Sequence, residues 1–380
     1  MKFFAELLSS IGPIHRFIPA GRVLVLGAVS VALVAPLSGC KKKEEAAAGA
    51  SGDQPAAEAP AAAEPTFEFK TKWPVGNRYT YRVDSTVEME GTLPNRPDPV
   101  KFSTVGQTAE FALSVLTNRE GGVTELELEY LSEKMDVRSL QASISFDSKS
   151  PSKKDLGNPM VIALKKLPGL KVKYLTDATG KIDKVEDHAE LAKKTLQGVA
   201  TSARPMLTSL ISEDNLKRQA TLIEAMPEKA VKAGDSWPYT DAAPISGLGQ
   251  ASITAQYTFK EFQQRAERKC ALFEFSGTFE IKQGPARTAM TLEDGKVSGQ
   301  TWFDAELGGV VESSTELSGK ITQTGQGGQS ITMQMTQKVA TRLAELNGTP
   351  LKVSAPAAAK PEGGQKKKAK AAEGGEPKGS

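Results

Sequence analysis

Two cysteines and two histidines in 380 residues set narrow limits on the chemistry open to this chain. Metal centres need several imidazole, thiolate or carboxylate ligands together, and Ser–His–Asp or Cys–His nucleophiles need a histidine within reach. His15 belongs to a basic and apolar N-terminal stretch, which leaves His188 alone in the rest of the chain. It follows Asp187 at the expected start of a helix, where an exposed polar residue is ordinary. Cys270 stands in Cys-Ala-Leu-Phe-Glu-Phe, a strand-like stretch that suits a small buried side chain better than a reactive thiol. Gly234-Asp235-Ser236 has the opening letters of an esterase nucleophile block, yet no histidine follows it, and the pair Gly234-Asp235 reads as a turn. Ser150-Pro151-Ser152-Lys153 has Ser-x-x-Lys spacing without a Lys-Thr-Gly partner, and Glu88 with Glu90 reads as the wet side of a strand. No His-Glu-x-x-His, phosphate loop or Gly-x-Ser-x-Gly occurs. The expectation is a protein without metal or cofactor that is not an enzyme.

The thiol placed for chemistry is Cys40. Lys2, Arg16 and Arg22 make a basic leader, and Val23 to Pro36 is an apolar run of about fourteen residues, short of the ~20 that span a membrane. A second apolar patch at Phe3, Phe4, Leu7 and Leu8 makes the leader long. Leu37-Ser38-Gly39-Cys40 closes it and resembles the bacterial lipobox. That resemblance implies a diacylglycerol thioether on Cys40 and a signal peptidase that reads Leu37, Ser38 and Gly39 and cuts before the cysteine. It also implies acylation of the new amino group, with palmitate-like chains. Two or three chains hold a protein on a bilayer durably, whereas one holds it marginally. Lys41, not Asp, follows the cysteine. By resemblance to the enteric sorting rule this favours the outer membrane, with the protein facing the periplasm.

Residues 1–39 are thus read as a signal peptide and 40–66 as a tether, whose apolar residues are almost all alanine and cannot offset the entropy of ordering. Residues 347–380 form a similar tail made basic by Lys366, Lys367, Lys368 and Lys370, suited to an anionic envelope surface. The chain carries 48 basic and 45 acidic residues, and Lys2, Arg16, Arg22 and Glu6 leave with the leader. The near balance that remains excludes the strong basic field of a nucleic-acid binder.

Between the flanks, residues 67–346 alternate apolar and polar side chains with period two, the mark of strands with one packed face. Tyr79, Tyr81 and Val83 alternate, as do Phe111, Leu113 and Val115, then Leu126, Leu128 and Tyr130, then Leu140, Ala142, Ile144 and Phe146. Further runs lie at Ile253–Phe259, Phe273–Ile281, Val297–Phe303, Val310–Leu317 and Ile331–Val339. Helices are expected between: a capping box from Asp187 to Glu190, a short set at Met206–Ile211, and a helix opening at Ser212 with Leu216 and Ala220 on one face. The resulting fold class is α+β, with curved antiparallel sheet in two strand-rich halves, 67–186 and 226–346, and helices in 187–225. Two short echoes link the halves. Gly76-Asn77-Arg78-Tyr79-Thr80-Tyr81 matches Gly234-Asp235-Ser236-Trp237-Pro238-Tyr239, and Tyr174 to Gly180 matches Trp302 to Gly308.

The stretch from Met226 to Trp237, with an early Gly76 followed by Tyr79 and Tyr81 in the first strand, resembles an uncharacterised bacterial lipoprotein family known only as a domain of unknown function (number 6263). Val231-Lys232 and Gly234-Asp235-Ser236-Trp237 fit its pattern, Ala230 and Ala233 depart from it, and the likeness would cover about Trp73 to Val339. It implies structural roles for Gly76, Tyr79, Tyr81, Gly234, Asp235 and Trp237 and no reaction. The expected function is a non-catalytic module that binds an apolar ligand or an envelope protein on a curved sheet, an analogy with envelope carriers at the level of fold alone. The alternatives are an envelope tether that uses lipid and basic tail, and an enzyme without a recognisable motif.

Overall fold

Alternating side chains need a sheet, and the computed structural model supplies one. It describes residues 64–352 apart from 94–95, 141–142, 153–156, 223–224, 246–248, 284–289 and 325–329. The leader, Cys40, nearly all of the tether and nearly all of the tail lie outside the described residues. Six strands come first: β1 (Arg78–Leu93), β2 (Arg96–Asn118), β3 (Thr124–Ser139), β4 (Ser143–Asp147), β5 (Lys171–Thr176) and β6 (Ile182–Val185). Seven follow: β7 (Ser236–Ile245), β8 (Gly249–Arg265), β9 (Arg268–Gln283), β10 (Met290–Asp304), β11 (Gly309–Thr324), β12 (Ser330–Leu346) and β13 (Thr349–Pro350).

Among the described residues all thirteen strands join one open sheet, in the order β6-β5-β3-β2-β1-β12-β11-β10-β9-β8-β7, with β4 beside β3 and β13 beside β12. Every pairing is antiparallel. The two strand-rich stretches are therefore not separate sheets. Each is a five-strand meander, β1-β2-β3-β5-β6 and β7-β8-β9-β10-β11, and β12 joins the start of the first to the end of the second.

Both meanders open on the same backbone device. Gly76 (φ 88°) and Gly234 (φ 91°) occupy the left-handed region that glycine enters without strain. The Gly76 amide donates to the Val115 carbonyl at 3.0 Å, and the Val115 amide donates back to Asn77 at 2.9 Å. The Gly234 amide donates to Phe259 at 2.7 Å, and the Phe259 amide donates back to Asp235 at 3.0 Å. The same echo ends each meander, since Gly180 and Gly308 also take positive φ in the turns after β5 and β10.

Four short helices, Pro159–Leu164, His188–Leu196, Arg204–Leu210 and Glu213–Ala220, pack on the apolar face. The fold is thus mostly antiparallel sheet, with helices segregated to one side. The apolar face closes around Glu213–Ala220 from both edges. Tyr174 of β5 donates to the Leu216 carbonyl at 3.1 Å and Tyr130 of β3 donates to Gln219, while from β7 the Trp237 indole donates to Ala225 at 2.9 Å. On that face one row of side chains runs Trp237, Tyr257, Phe275 and Gly299 from β7 to β10. The three rings stack in sequence, and the Phe275 ring lies where a Cβ on Gly299 would sit 2.4 Å from it.

Some local expectations fail for identifiable reasons. Asp187 takes a left-handed backbone (φ 51°) and makes no capping bond, so the Asp187–Glu190 capping box does not form. The Ser212 hydroxyl turns back to the Ser209 carbonyl at 3.0 Å instead of capping the helix it precedes. The run from Leu140 to Phe146 is not one strand: β3 ends at Ser139, Leu140 is 50% exposed, and β4 begins at Ser143.

Candidate functional site

The segment ahead of β1 crosses the end of the sheet like a strap. Phe67 bridges to Val231, and Phe69 packs edge-on against Phe259, Phe273 and Phe303. The Lys72 amide donates to the Gly308 carbonyl at 3.0 Å, and the Trp73 indole donates to Gly180 at 2.6 Å. The strap thus touches the closing turns of both meanders. Between it, the sheet and the chain beyond Ala220 lies a hollow of about 370 Å³, lined by Phe69, Trp73, Tyr79, Tyr81, Leu222 and Met226 among others. The polar tips of its aromatics are already engaged inside the protein. Tyr81 donates to the Val310 carbonyl at 2.9 Å, Tyr79 accepts from the Asn77 amide at 3.0 Å, and Trp73 serves Gly180. Burial pushes the Tyr81 hydroxyl well above the usual tyrosine range and raises that of Tyr79 against its hydrogen bond from Asn77, so both stay protonated. The hollow thus presents ring surface beside a charged set, Glu68, Lys70, Lys72, Lys181 and Glu228, in which Lys70 pairs with Glu68 and Lys72 donates to the Ala305 carbonyl.

A second, inner cavity of about 80 Å³ lies between the apolar face and the helices, and it shares Thr221 and Leu222 with the hollow. Its lining is mixed: Leu164, Leu167 and Leu210 from the helical side, and Gln107, Glu133, Ser313 and Thr341 from the sheet. Glu133 is 4% exposed and accepts from the Gln107 amide at 2.6 Å. Burial raises its carboxyl to about 8, opposed by that hydrogen bond, so it is protonated at neutral pH. The chain reaches this arrangement through a bulge. Glu110 pairs with Ser132 but Phe111 with Tyr130, which leaves Leu131 extra and turns Glu133 to the apolar face. Two further polar side chains share that face. Ser85, opposite Gln107, is 5% exposed and its hydroxyl has no partner, and the Oε1 of Gln107 has none.

Asp241 of β7 is also buried, with one carboxylate oxygen unpaired, and burial raises it to about 7. Cys270 is fully buried and burial pushes its thiol up to about 12, which keeps it unreactive. The His188 ring lies 2.8 Å from the Ile211 carbonyl, a contact that ties two helices. Among the described residues no three His, Cys, Asp or Glu side chains could hold a metal, and no helix is long and apolar enough to cross a membrane.

The polar face of the sheet carries a wide groove of about 1210 Å³ from β3 to β8. Thr86, Thr108, Ser276, Ser298 and Ser314 floor it, and both signs of charge rim it, with Lys134, Lys260 and Lys338 near Asp136, Glu274 and Glu316. Nothing in that balance selects a ligand charge.

The sequence motifs divide between these places. Tyr79 and Tyr81 line the hollow, while Gly76, Gly234 and Asp235 form turns, with Asp235 accepting from the Lys232 amide at 2.9 Å. Trp237 stands apart on β7, half-buried, stacked on Tyr257 and edge-on to Phe273. Truncating it removes that packing and leaves the Ala225 carbonyl unpaired. Trp237→Ala is expected to cost about 2–4 kcal/mol, at or below the 3–5 of a fully buried tryptophan, and to lower the melting temperature in thermal scans. An unchanged Tm would place the ring outside the core.

A family model described as a family of unknown function (DUF6263) matches residues 121–310, half of the chain. The matched span holds the Met226–Trp237 segment but leaves β1, β2 and β12 outside, so it is shorter than the likeness from Trp73 to Val339. No curated protein matches the chain. Three solved structures align at low similarity. A lipovitellin structure concerned with lipid–protein interactions is 10% identical with a TM-score of 0.38, and the alignment covers 75% of this chain and 27% of that one. A Bacteroides fragilis protein described as exported, with a YmcC-like fold, is 9% identical with a TM-score of 0.22, over 74% of this chain and 99% of its own. A Parabacteroides distasonis protein described as a lipoprotein is 11% identical with a TM-score of 0.21, over 74% and 98%. Likenesses this weak carry no argument.

Proposed function

Because the chain belongs to the family of unknown function DUF6263, we propose that it is a non-catalytic bacterial envelope lipoprotein that holds an apolar ligand in the hollow beneath its strap. The observation that carries this reading is the aromatic and aliphatic part of the lining. Phe69, Trp73, Tyr79, Tyr81, Leu222 and Met226 face about 370 Å³ of space, with the polar tips of Trp73, Tyr79 and Tyr81 satisfied elsewhere. Beside them stand charged residues such as Lys70 and Glu68, which pair with each other. That volume lies at the low end of the ~300–1,000 Å³ typical of small-molecule pockets. In this reading lipid on Cys40 anchors the protein in the outer membrane, residues 40–66 hold the sheet off the bilayer, and the basic tail meets anionic envelope surface. An envelope protein docked on the curved sheet is the competing occupant.

The test is titration of the full chain with N-phenyl-1-naphthylamine, an uncharged apolar dye whose emission rises in apolar surroundings. Saturable binding near one dye per chain is expected. Met226→Asp, which places a charge in the lining, should weaken it by at least about tenfold, 1.4 kcal/mol. Absent binding, or binding indifferent to Met226→Asp, would refute the reading.

A further inference from the structure

The inner cavity and the hollow adjoin at Thr221 and Leu222, which line both. A core with no other use for the space would fill it with hydrocarbon, since buried polar groups without partners are costly and rare. Here the chain does the opposite. The bulge at Leu131 turns Glu133 inward, Gln107 stands beside it with a free Oε1, and Thr341 and Ser313 add hydroxyls to the lining. The neighbouring positions Ala109, Ser313 and Thr341 are small, which keeps the room open.

We propose that this cavity is the head-group subsite of the hollow. A single-chain amphiphile would place an uncharged hydroxyl, ester or amide against Glu133, Gln107 and Thr341, and lead its hydrocarbon chain out past Thr221 and Leu222. The inference rests on the apolar-ligand reading and adds the class of ligand to it.

The chemistry of the lining selects that class. A protonated carboxyl and the Thr341 hydroxyl donate, the Gln107 Oε1 accepts, and a neutral hydroxyl or ester satisfies both kinds. No lysine or arginine lines the cavity. A phosphate or carboxylate head would therefore be buried without a counter-charge, which proteins avoid. About 80 Å³ admits only a few heavy atoms, given roughly 30 Å³ for each water-sized group. A glycerol-sized head is near the upper limit, and a sugar or a second acyl chain does not fit.

The experiment is displacement of N-phenyl-1-naphthylamine from the full chain by chain-matched competitors at neutral pH: a monoacylglycerol, the free fatty acid and an alkylamine. The monoacylglycerol should displace the dye about tenfold more effectively than either charged competitor. Gln107→Met removes the free Oε1 and should narrow the preference several-fold. Glu133→Leu should abolish it. Each variant is compared with its own dye affinity, and if Glu133→Leu does not fold, Gln107→Met alone decides. Equal displacement by all three competitors, a preference for a charged one, or a preference untouched by Gln107→Met overturns the subsite while the hollow stands. Failure of the wild-type protein to bind dye overturns both.

Discussion

Stability is expected to fall as pH rises from about 5 to about 8, and Glu133→Gln should flatten most of that slope. Glu133 titrates near 8 in the folded protein against 4.5 when free. Between those values the folded state holds a proton that the unfolded state has released, so unfolding gains with every step in pH. Below about 4.5 both states are protonated and the term vanishes; above about 8 both are ionised and the penalty is complete. At 1.36 kcal/mol per pH unit of difference, the ceiling is ~4–5 kcal/mol, which relaxation of the site reduces. The groups facing Glu133 are neutral: Gln107 from β2, Tyr130 from its own strand and Gln219 from the helical side. Asp241, raised to about 7, acts in the same direction. Carboxylates held low by partners, such as Glu110 by Lys149 and Ser132 and Glu125 by Arg119 and Lys173, act the other way, but their stabilisation is complete near pH 5. Urea midpoints across this range check the slope. A wild-type stability that rises from pH 5 to 8, or a Glu133→Gln profile that keeps the wild-type slope, contradicts the buried protonated carboxyl.

Cys40→Ser is expected to abolish fatty-acid labelling and leave the protein as full-length precursor or in the soluble fraction. The oxygen of serine does not substitute for the thiolate as the acceptor of diacylglycerol, and cleavage waits on that transfer in the lipobox chemistry the leader resembles. Since even one acyl chain contributes ~0.8 kcal/mol per buried methylene, losing two or three changes the bound-to-soluble ratio by more than about a thousandfold. Metabolic labelling with a fatty-acid analogue, followed by fractionation, reads both effects. Undiminished label on the serine variant would remove the lipid anchor from the proposal.

The strands were legible because burial on one face leaves a period of two. Tyr79, Tyr81, Phe111, Leu113, Leu126 and Leu128 all lie buried on the apolar face. The short Gly76 and Gly234 echo was legible too, and its geometry repeats bond for bond. What alternation cannot show is where its phase slips. Leu126, Leu128 and Tyr130 are buried on even positions, Met135 and Val137 on odd ones, and the change of parity is the trace of the Leu131 bulge that carries Glu133 inside. Read with the parity of Leu128, Glu133 passes for a solvated residue. Ser85, Ser313 and Thr341 hide for a related reason, since polar residues in a strand are assigned outward unless pairing shows otherwise. The helix starts after Asp187 and Ser212 stand where expected, but neither side chain caps its helix: Asp187 takes a left-handed backbone and the Ser212 hydroxyl serves the preceding turn.

The position of β12 has a consequence for the order of events in folding. Its seventeen residues pair along nearly their whole length with β1 on one side and β11 on the other, and Leu346 meets Tyr79 from the far end of the folded chain. Each meander can zip from local hairpins, but closing the sheet must bring together segments separated by most of the folded chain. Such non-local pairing is the slow step in β-rich proteins. Until β12 arrives, β1 and β11 present long open edges that template wrong pairing. A chain that emerges from its N-terminus exposes both edges before the keystone strand follows, so its hazard is greatest when it is almost complete.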